Sequence, residues 1–430
     1  MRYQPIHPKL FEYNRQNLAK LMKPKSVAVL QPADQYPRNG DQYFTYRQQS
    51  DLFYLTGIEQ EKTVLLMAPG FSNEKFQEAL FILKPDKKLE TWEGHKLTRE
   101  EARKISGIDN VFWLDDFETT LREVLLDSEN FYLNSNESVK FVTDVPERNH
   151  RVAVELREKY PMHNYQRLAP LMKQLRQIKS EPEIDLIRQA CKITNKAFER
   201  VMKTIKPGMK EYEVEAEIIG EFIRNGANGH GYAPIIASGR NACMLHYVDN
   251  DKTCEEGDLV LMDFGAEYAN YTADMSRTIP VNGKFTPRQK ACYNAVLDVF
   301  KQAREMMIPG NTIDKVNKAV EKMMEKKMIT LGLFTAEEVE KQDKKNPLYF
   351  NYYMHGVSHP LGLDVHDVGS KYEPFKAGMV VTCEPGLYIE EENLGIRIEN
   401  DILITNDGPV DLMIDIPIET DEIEAAMRHA

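Results

Sequence analysis

The sequence lacks long apolar runs. Nothing in its 430 residues approaches the roughly 18 consecutive apolar residues of a membrane-crossing helix, and the opening MRYQPIHPKLFEYNRQNLAKLMKPKS holds no apolar core of signal-peptide length. A soluble, cytoplasmic protein is expected. Cysteine is sparse and unpatterned. Cys191, Cys243, Cys254, Cys292 and Cys383 are odd in number, scattered and without a CxxC pair, which argues against a disulfide framework, a zinc ribbon and a redox motif. Positive charge is in deficit as well. Against 67 acidic residues there are 55 basic ones, a formal charge of −12, so the chain is not built to neutralise phosphates in bulk, and neither nucleic acid nor a membrane is an expected partner.

What remains is a chain long enough for two or three domains of roughly 100–200 residues each. Up to about residue 170, the β-branched and aromatic runs SVAVLQ, DLFYLTGI, TVLLMAP, EALFILK, NVFWLD and NFYLN read as strands, alternating with helical patterns. Thr98 with Glu101 forms a capping box before EEARKIS, and FETTLREVLL is amphipathic. This predicts an α/β domain over 1–172. Its most distinctive segment, YRQQSDLFYLTGIEQEKTVLL, carries no obvious chemistry, and Trp92 is one of only two tryptophans. Scaffold or oligomerisation is the expected role. Between Arg151 and Lys179 the composition turns basic and polar, and the boundary is placed there, with a second domain over 173–430.

The second domain repeats itself. Ser180 and Glu183 cap a helix whose apolar positions Ile184, Ile187, Cys191, Phe198 and Val201 keep helical spacing until Pro207-Gly208, and another helix starts near Glu211. A second helix, Pro-Gly, helix unit opens at Thr286-Pro287, breaks at Pro309-Gly310 and resumes at Thr312. The strands that follow align without gaps, EGDLVLMDFG against AGMVVTCEPG, which places Asp263 and Glu384 in equivalent positions 121 residues apart. Asp274 and Glu399 come next, 11 and 15 residues on, as on the return strand of a hairpin in each copy. Duplicated supersecondary units facing each other would bring four carboxylates to one centre.

Both LVLMD and MVVTC lack polar alternation, so each ends a strand buried on both faces. A carboxylate there is costly unless it meets a cation. Four together repel strongly, and two divalent ions would offset that repulsion. An oxygen-rich set with a little imidazole suits Mn(II) best, with Co(II), Fe(II) or Zn(II) possible. Such metals, about 3.5–4 Å apart, hold a bridging hydroxide and polarise a carbonyl or phosphoryl oxygen, so hydrolysis is the expected reaction class. Imidazole is supplied by MHGVSHPLGLDVHDVG, with His355, His359 and His366 within twelve positions. Gly356 and Pro360 disfavour a zinc helix there, and no HExxH glutamate follows His355. His359 is assigned to metal. His355, His366 and the distant His246 are assigned to substrate and to the tetrahedral intermediate.

Asp263, Asp274, His359, Glu384 and Glu399, in LMDFG, TADMSRT, HGVSHPLGLDVHD, CEPGLY and GIRIEN, resemble the ligand set of the dinuclear pita-bread metallopeptidases. Within that family HGVSHPLGLDVHDVG and VTCEPGLYI look most like Xaa-Pro aminopeptidase, and YRQQSDLFYLTGI is similar to its creatinase-like N-terminal domain. The resemblance implies an α+β pita-bread catalytic domain with a pseudo-twofold repeat. It implies that Asp274 and Glu399 bridge two metals, that Asp263 binds one, and that His359 with Glu384 binds the other. Glu384 would shuttle the proton from water to the leaving nitrogen. His246 and His366 would contact the substrate, and His355 would support the reacting centre. Arg397 and Tyr388 match positions behind the ligands, and Tyr232 matches one lining the site.

The implied reaction releases an N-terminal residue that precedes proline, from peptide substrates. The implied assembly is a homo-oligomer, dimer or tetramer, formed through the N-terminal domain. Prolidase, which cleaves Xaa-Pro dipeptides, is the nearest alternative; a non-catalytic pita-bread interaction protein is a more remote one, since such modules lose ligands and all five are present here. Three departures stand out. Asn400 follows the bridging glutamate where an acid is frequent, the stretch between Tyr388 and Arg397 is short, and Pro360 follows the ligand histidine.

Overall fold

The computed structural model describes residues 2–138, 140–141 and 143–428. The chain divides into two compact units, one from Tyr3 to Arg176 and one from Gln177 onward. The first is built on a mixed six-stranded sheet in the order Val111–Trp113, Glu78–Ile82, Val64–Met67, Ser26–Leu30, Asn130–Leu133, Asn164–Arg167. Helices cover it. Val27, Val29, Leu66, Phe81 and Phe131 of the sheet pack with Phe117, Leu121 and Val124 of the helix Phe117–Asp127, all of them buried. Each such side chain contributes about 1.5–3 kcal/mol relative to exposure.

One predicted strand is a helix. Ser50–Thr56, the core of DLFYLTGI, is a two-turn helix with every residue buried. Burial on all sides removes any alternation, so sequence periodicity cannot separate strand from helix here. The ends decide it. The Gln49 side chain accepts from Leu52 N–H at the start, and Gly57 closes the helix in the left-handed region at φ 66°. A Cβ on Gly57 would fall 2.3 Å from the Phe11 ring, so glycine is required twice over. The polar residues of this segment are absorbed by structure: Arg176 donates to Asp51 at 2.8 Å and Asn134 donates to the same carboxylate at 2.7 Å.

The second unit shows the predicted duplication. Helices Glu181–Thr204 and Glu211–Arg224 precede a three-stranded sheet, Ile235–Ser238, Leu259–Asp263, Ser276–Pro280. Helices Pro287–Glu305 and Ile313–Thr330 precede a second, Val380–Cys383, Asn400–Thr405, Gly408–Asp411. A short hairpin is inserted in each copy, Ala266–Tyr268 with Tyr271–Thr272 in one and Gly386–Ile389 with Leu394–Arg397 in the other. Asp274 and Glu399 lie just beyond the return strands of these hairpins rather than on them, in the short links to Ser276–Pro280 and Asn400–Thr405.

The histidine-rich segment runs antiparallel beside Val380–Cys383. Glu384 N–H donates to Val357 O, Thr382 N–H to His359 O and Leu361 N–H to Val380 O, with a bridge between Pro360 and Val381. Bonding falls on the odd-numbered residues, so the N–H that Pro360 lacks points away from the ladder. This is why proline is tolerated next to His359. Among the described residues no helix is long and apolar enough to cross a membrane.

Candidate metal centre

Strand ends from both copies deliver the acids to one place. Asp263 closes the Leu259–Asp263 strand and pairs with Ser276, while Glu384 follows Cys383, which pairs with Asn400. Tyr232 O–H lies 2.6 Å from Asp263 Oδ1 and 2.5 Å from Asp274 Oδ1, so a single phenolic proton serves two carboxylates. His359 Nε2 is 3.3 Å from Asp274 Oδ2 and 3.7 Å from Glu384 Oε1. Donor atoms of Asp274, His359 and Glu399 all lie within 4.8 Å of one another. The five residues assigned to metal, with Tyr232, therefore surround one small volume.

The surroundings fix these groups. Arg397 Nη2 donates to Asp263 at 2.6 Å, its Nη1 to Tyr388 at 3.0 Å and its Nε to Ser276 Oγ at 2.9 Å. Ser276 Oγ in turn donates to Glu399 Oε2 at 2.8 Å. Tyr388 sits 2.8 Å from His355 Nε2, and His355 Nδ1 is 2.9 Å from Gly356 O, which favours the tautomer protonated at Nδ1. Glu384 Oε2 is 3.8 Å from the His355 ring. His366 is exposed, with its ring 4.5 Å from that of His359. His246 is itself exposed, on a loop whose Ala242, Tyr247 and Asn250 are buried.

The electrostatics are those of buried acids crowded together. Burial, then the neighbouring carboxylates, raises Asp274 and Glu399 well above the ordinary carboxylate range. Burial pushes Glu384 up to about 7, against the opposing pull of His359 and Arg397. Burial and then Arg397 lower His355 to about 4, so that ring is neutral at physiological pH. Burial also raises Tyr388 to about 12. For Arg397 burial disfavours the charge, yet Tyr388, Asp263 and Glu399 outweigh it and the guanidinium stays charged.

The donor chemistry fits divalent ions. His359 Nδ1 is 3.0 Å from Pro360 O and can donate to it, which leaves the Nε2 lone pair facing carboxylate oxygens. That arrangement is repulsive without a cation between them, and it is the usual way a ligand histidine is oriented. One guanidinium cannot balance Asp263, Asp274, Glu384 and Glu399 together, whereas divalent ions on oxygen and imidazole donors can.

Sequence reasoning missed four residues that hold the set in place. Ser276 bridges Arg397 and Glu399. Asp401, fully buried, accepts from Asp274 N–H at 3.1 Å. Each lies two positions after a predicted ligand, at the start of the strand that follows it, but its partner is in the other copy, so no local pattern marks it. Arg277, also fully buried, donates to Glu399 O at 2.8 Å and to Asn400 Oδ1 at 2.7 Å. Thr382 Oγ1 accepts from His359 N–H at 3.1 Å. Asn400, the departure from the acid expected there, also donates to both oxygens of Asp411, at 2.8 and 3.0 Å. An amide can face a cation on one side and an anion on the other, and a carboxylate cannot.

Comparison with known proteins joins these features. The profile of metallopeptidase family M24 matches residues 185–406, and that of the aminopeptidase P N-terminal domain matches 11–132. The chain is 36% identical to the Xaa-Pro aminopeptidase of Haemophilus influenzae, covering 97% of each chain, and 35% identical to that of Escherichia coli, covering 98% of each. The solved structure of E. coli aminopeptidase P with the inhibitor Pro-Leu superposes with a TM-score of 0.88 at 33% identity, covering 99% of both chains. Another structure of that enzyme is zinc-substituted and holds product. An acid-rich pocket that only cations can balance is what such relatives lead one to expect, and the chain belongs to metallopeptidase family M24, with divalent metal ions as the implied cofactor.

Proposed function

We propose that this protein is a metal-dependent exopeptidase that releases the N-terminal residue from peptides with proline in the second position. The observation that carries the reading is the full-length similarity to Xaa-Pro aminopeptidases. The complete set Asp263, Asp274, His359, Glu384 and Glu399 around one volume supports it. The resident metals are two divalent ions, Mn(II) first among them. Asp274 and Glu399 would be shared by both ions, Asp263 would hold one, and His359 with Glu384 would hold the other. When bound, the ions supply Lewis acidity toward the scissile carbonyl and lower the pKa of water.

The chain's own residues do the rest. Glu384 takes the proton released by the attacking water and passes it to the proline nitrogen, which leaves as an amine and needs that proton. An Xaa-Pro bond has no N–H and populates cis, so its recognition cannot use the donor that ordinary peptides offer. Groups facing the carbonyl must compensate. His246 and His366 would contact the substrate. His355, kept neutral and held by Tyr388, which Arg397 anchors, fixes the orientation of the reacting centre. The unit from Gln177 onward, four residues later than the boundary expected at 172/173, is catalytic, and the unit up to Arg176 joins copies into a dimer or tetramer in the cytoplasm; light scattering on the purified protein reads the assembly.

Two outcomes check the assignment. The metal-reconstituted enzyme is expected to release the first residue from Xaa-Pro-Yaa tripeptides and longer peptides, with product identity read by mass. Cleavage confined to Xaa-Pro dipeptides would make it a prolidase instead. His246→Ala is expected to keep its metal content and lose kcat by about a hundredfold, the scale of one lost donor to a developing oxyanion. Unchanged turnover in that variant would remove His246 from the mechanism.

A further inference from the structure

The loop carrying His246 begins just after Ser238 and ends at Lys252, and both ends converge on one carboxylate outside the metal site. Glu211, the first residue of the helix Glu211–Arg224, is fully buried. Its Oε1 accepts from Ser238 N–H at 2.7 Å, from Ser238 Oγ at 2.7 Å and from Asn241 Nδ2 at 3.2 Å. Its Oε2 accepts from Tyr247 O–H at 2.7 Å and from Lys252 N–H at 3.0 Å, and its own N–H donates to Lys252 O at 2.9 Å. An acid in the first turn of a helix normally faces solvent and serves the dipole. Here it faces inward and accepts five hydrogen bonds, two from Ser238 and three from the loop.

The loop then meets the second copy. A Cβ on Gly395 would fall 2.2 Å from Ala242 O, so the loop lies directly on the Leu394–Arg397 strand. Tyr247, next in sequence to His246, packs in one apolar cluster with Ala242, Leu261 and Tyr388, and Met354, the neighbour of His355, packs against it. The group that ties down the loop thus also sets where His246 stands relative to His355 and Tyr388.

We propose that Glu211 is a positioning residue for the reaction, holding the His246 loop over the substrate through Tyr247 and the two loop ends; this rests on the substrate-facing role of His246 given above. Glu211→Gln is nearly isosteric, but its NH2 confronts a donor at one end of the loop whichever way it turns. Expected is a loss of kcat of at least tenfold on an Xaa-Pro-Yaa tripeptide, with metal content unchanged. The same substitution in a His246→Ala background is expected to cost less than twofold, because its effect passes through His246. Tyr247→Phe, which deletes a single donor and leaves the other four, provides a milder second route with the same pattern in both backgrounds.

If either substitution costs as much without His246 as with it, or costs nothing in the wild-type background, the proposal is overturned. If His246→Ala itself keeps wild-type turnover, the role of His246 fails, and that is visible before Glu211 is altered. Should Glu211→Gln fail to fold, the Tyr247→Phe cycle decides alone.

Discussion

Glu384→Ala is expected to lower kcat/KM by about three orders of magnitude or more, because it removes a metal donor and the proton carrier together. Its effect on the fold has the opposite sign from an ordinary core truncation. Glu384 lies among Asp274, Asp263 and Glu399, and burial has already pushed its carboxyl up to about 7. Removing it relieves repulsion, so the metal-free variant should melt at or above the metal-free wild type, read by differential scanning fluorimetry. Glu384→Gln separates the two roles. It retains an oxygen donor and loses the proton carrier, so metal content measured by elemental analysis should fall less than in the alanine variant, while turnover stays lost. Substantial turnover in Glu384→Gln would assign the proton to another group.

Chelation is expected to abolish cleavage and to give stability a distinctive pH dependence. Asp274, Glu384 and Glu399 all have folded-state pKa values raised above those of the unfolded chain. Between the ordinary carboxylate range and those raised values, the metal-free folded state holds protons that the unfolded chain has released. Stability therefore falls as pH rises through this window. Their contribution is complete below about pH 4 and, for Glu384, is lost as pH rises through about 7. The metal-free protein should thus melt lower at about pH 8 than at about pH 6. Added Mn(II) should raise the midpoint most at the higher pH, since it binds the ionised carboxylates, by about 2.7 kcal/mol of stability at a hundredfold excess over Kd. A metal-free melting temperature that rises steadily with pH would contradict the close approach of these acids.

The clustering of the acids was legible in the sequence because chemistry and repetition coincided. Asp263 ends, and Glu384 directly follows, a strand that carries no other charged group, and the two strands align without a gap, so each acid supports the other. The helices were legible for a different reason: Ser180, Thr286 and Thr312 mark starts, and Pro-Gly pairs mark stops. Ser50–Thr56 was not, because a short element buried on every side has no period to read. Glu211 was hidden behind a plausible lesser role, that of an acid at a helix start. Ser276, Arg277 and Asp401 act through partners more than a hundred residues away, and such pairings are set by the packing of the two copies rather than by local pattern.

The reciprocal bonds between the copies have a consequence for how the catalytic unit could be divided. Ser276 of the first copy bonds Glu399 of the second, and Asp401 of the second bonds the backbone of Asp274 in the first. Each half thus carries half of the acids and also the group that seats the other half's acid. A single half would be deficient twice over, in donors and in the contacts that aim them. Only a pair of halves, whether fused in one chain or meeting as separate fragments, closes the circuit, and a cut within the segment joining them should be survivable where a deletion of either half is not.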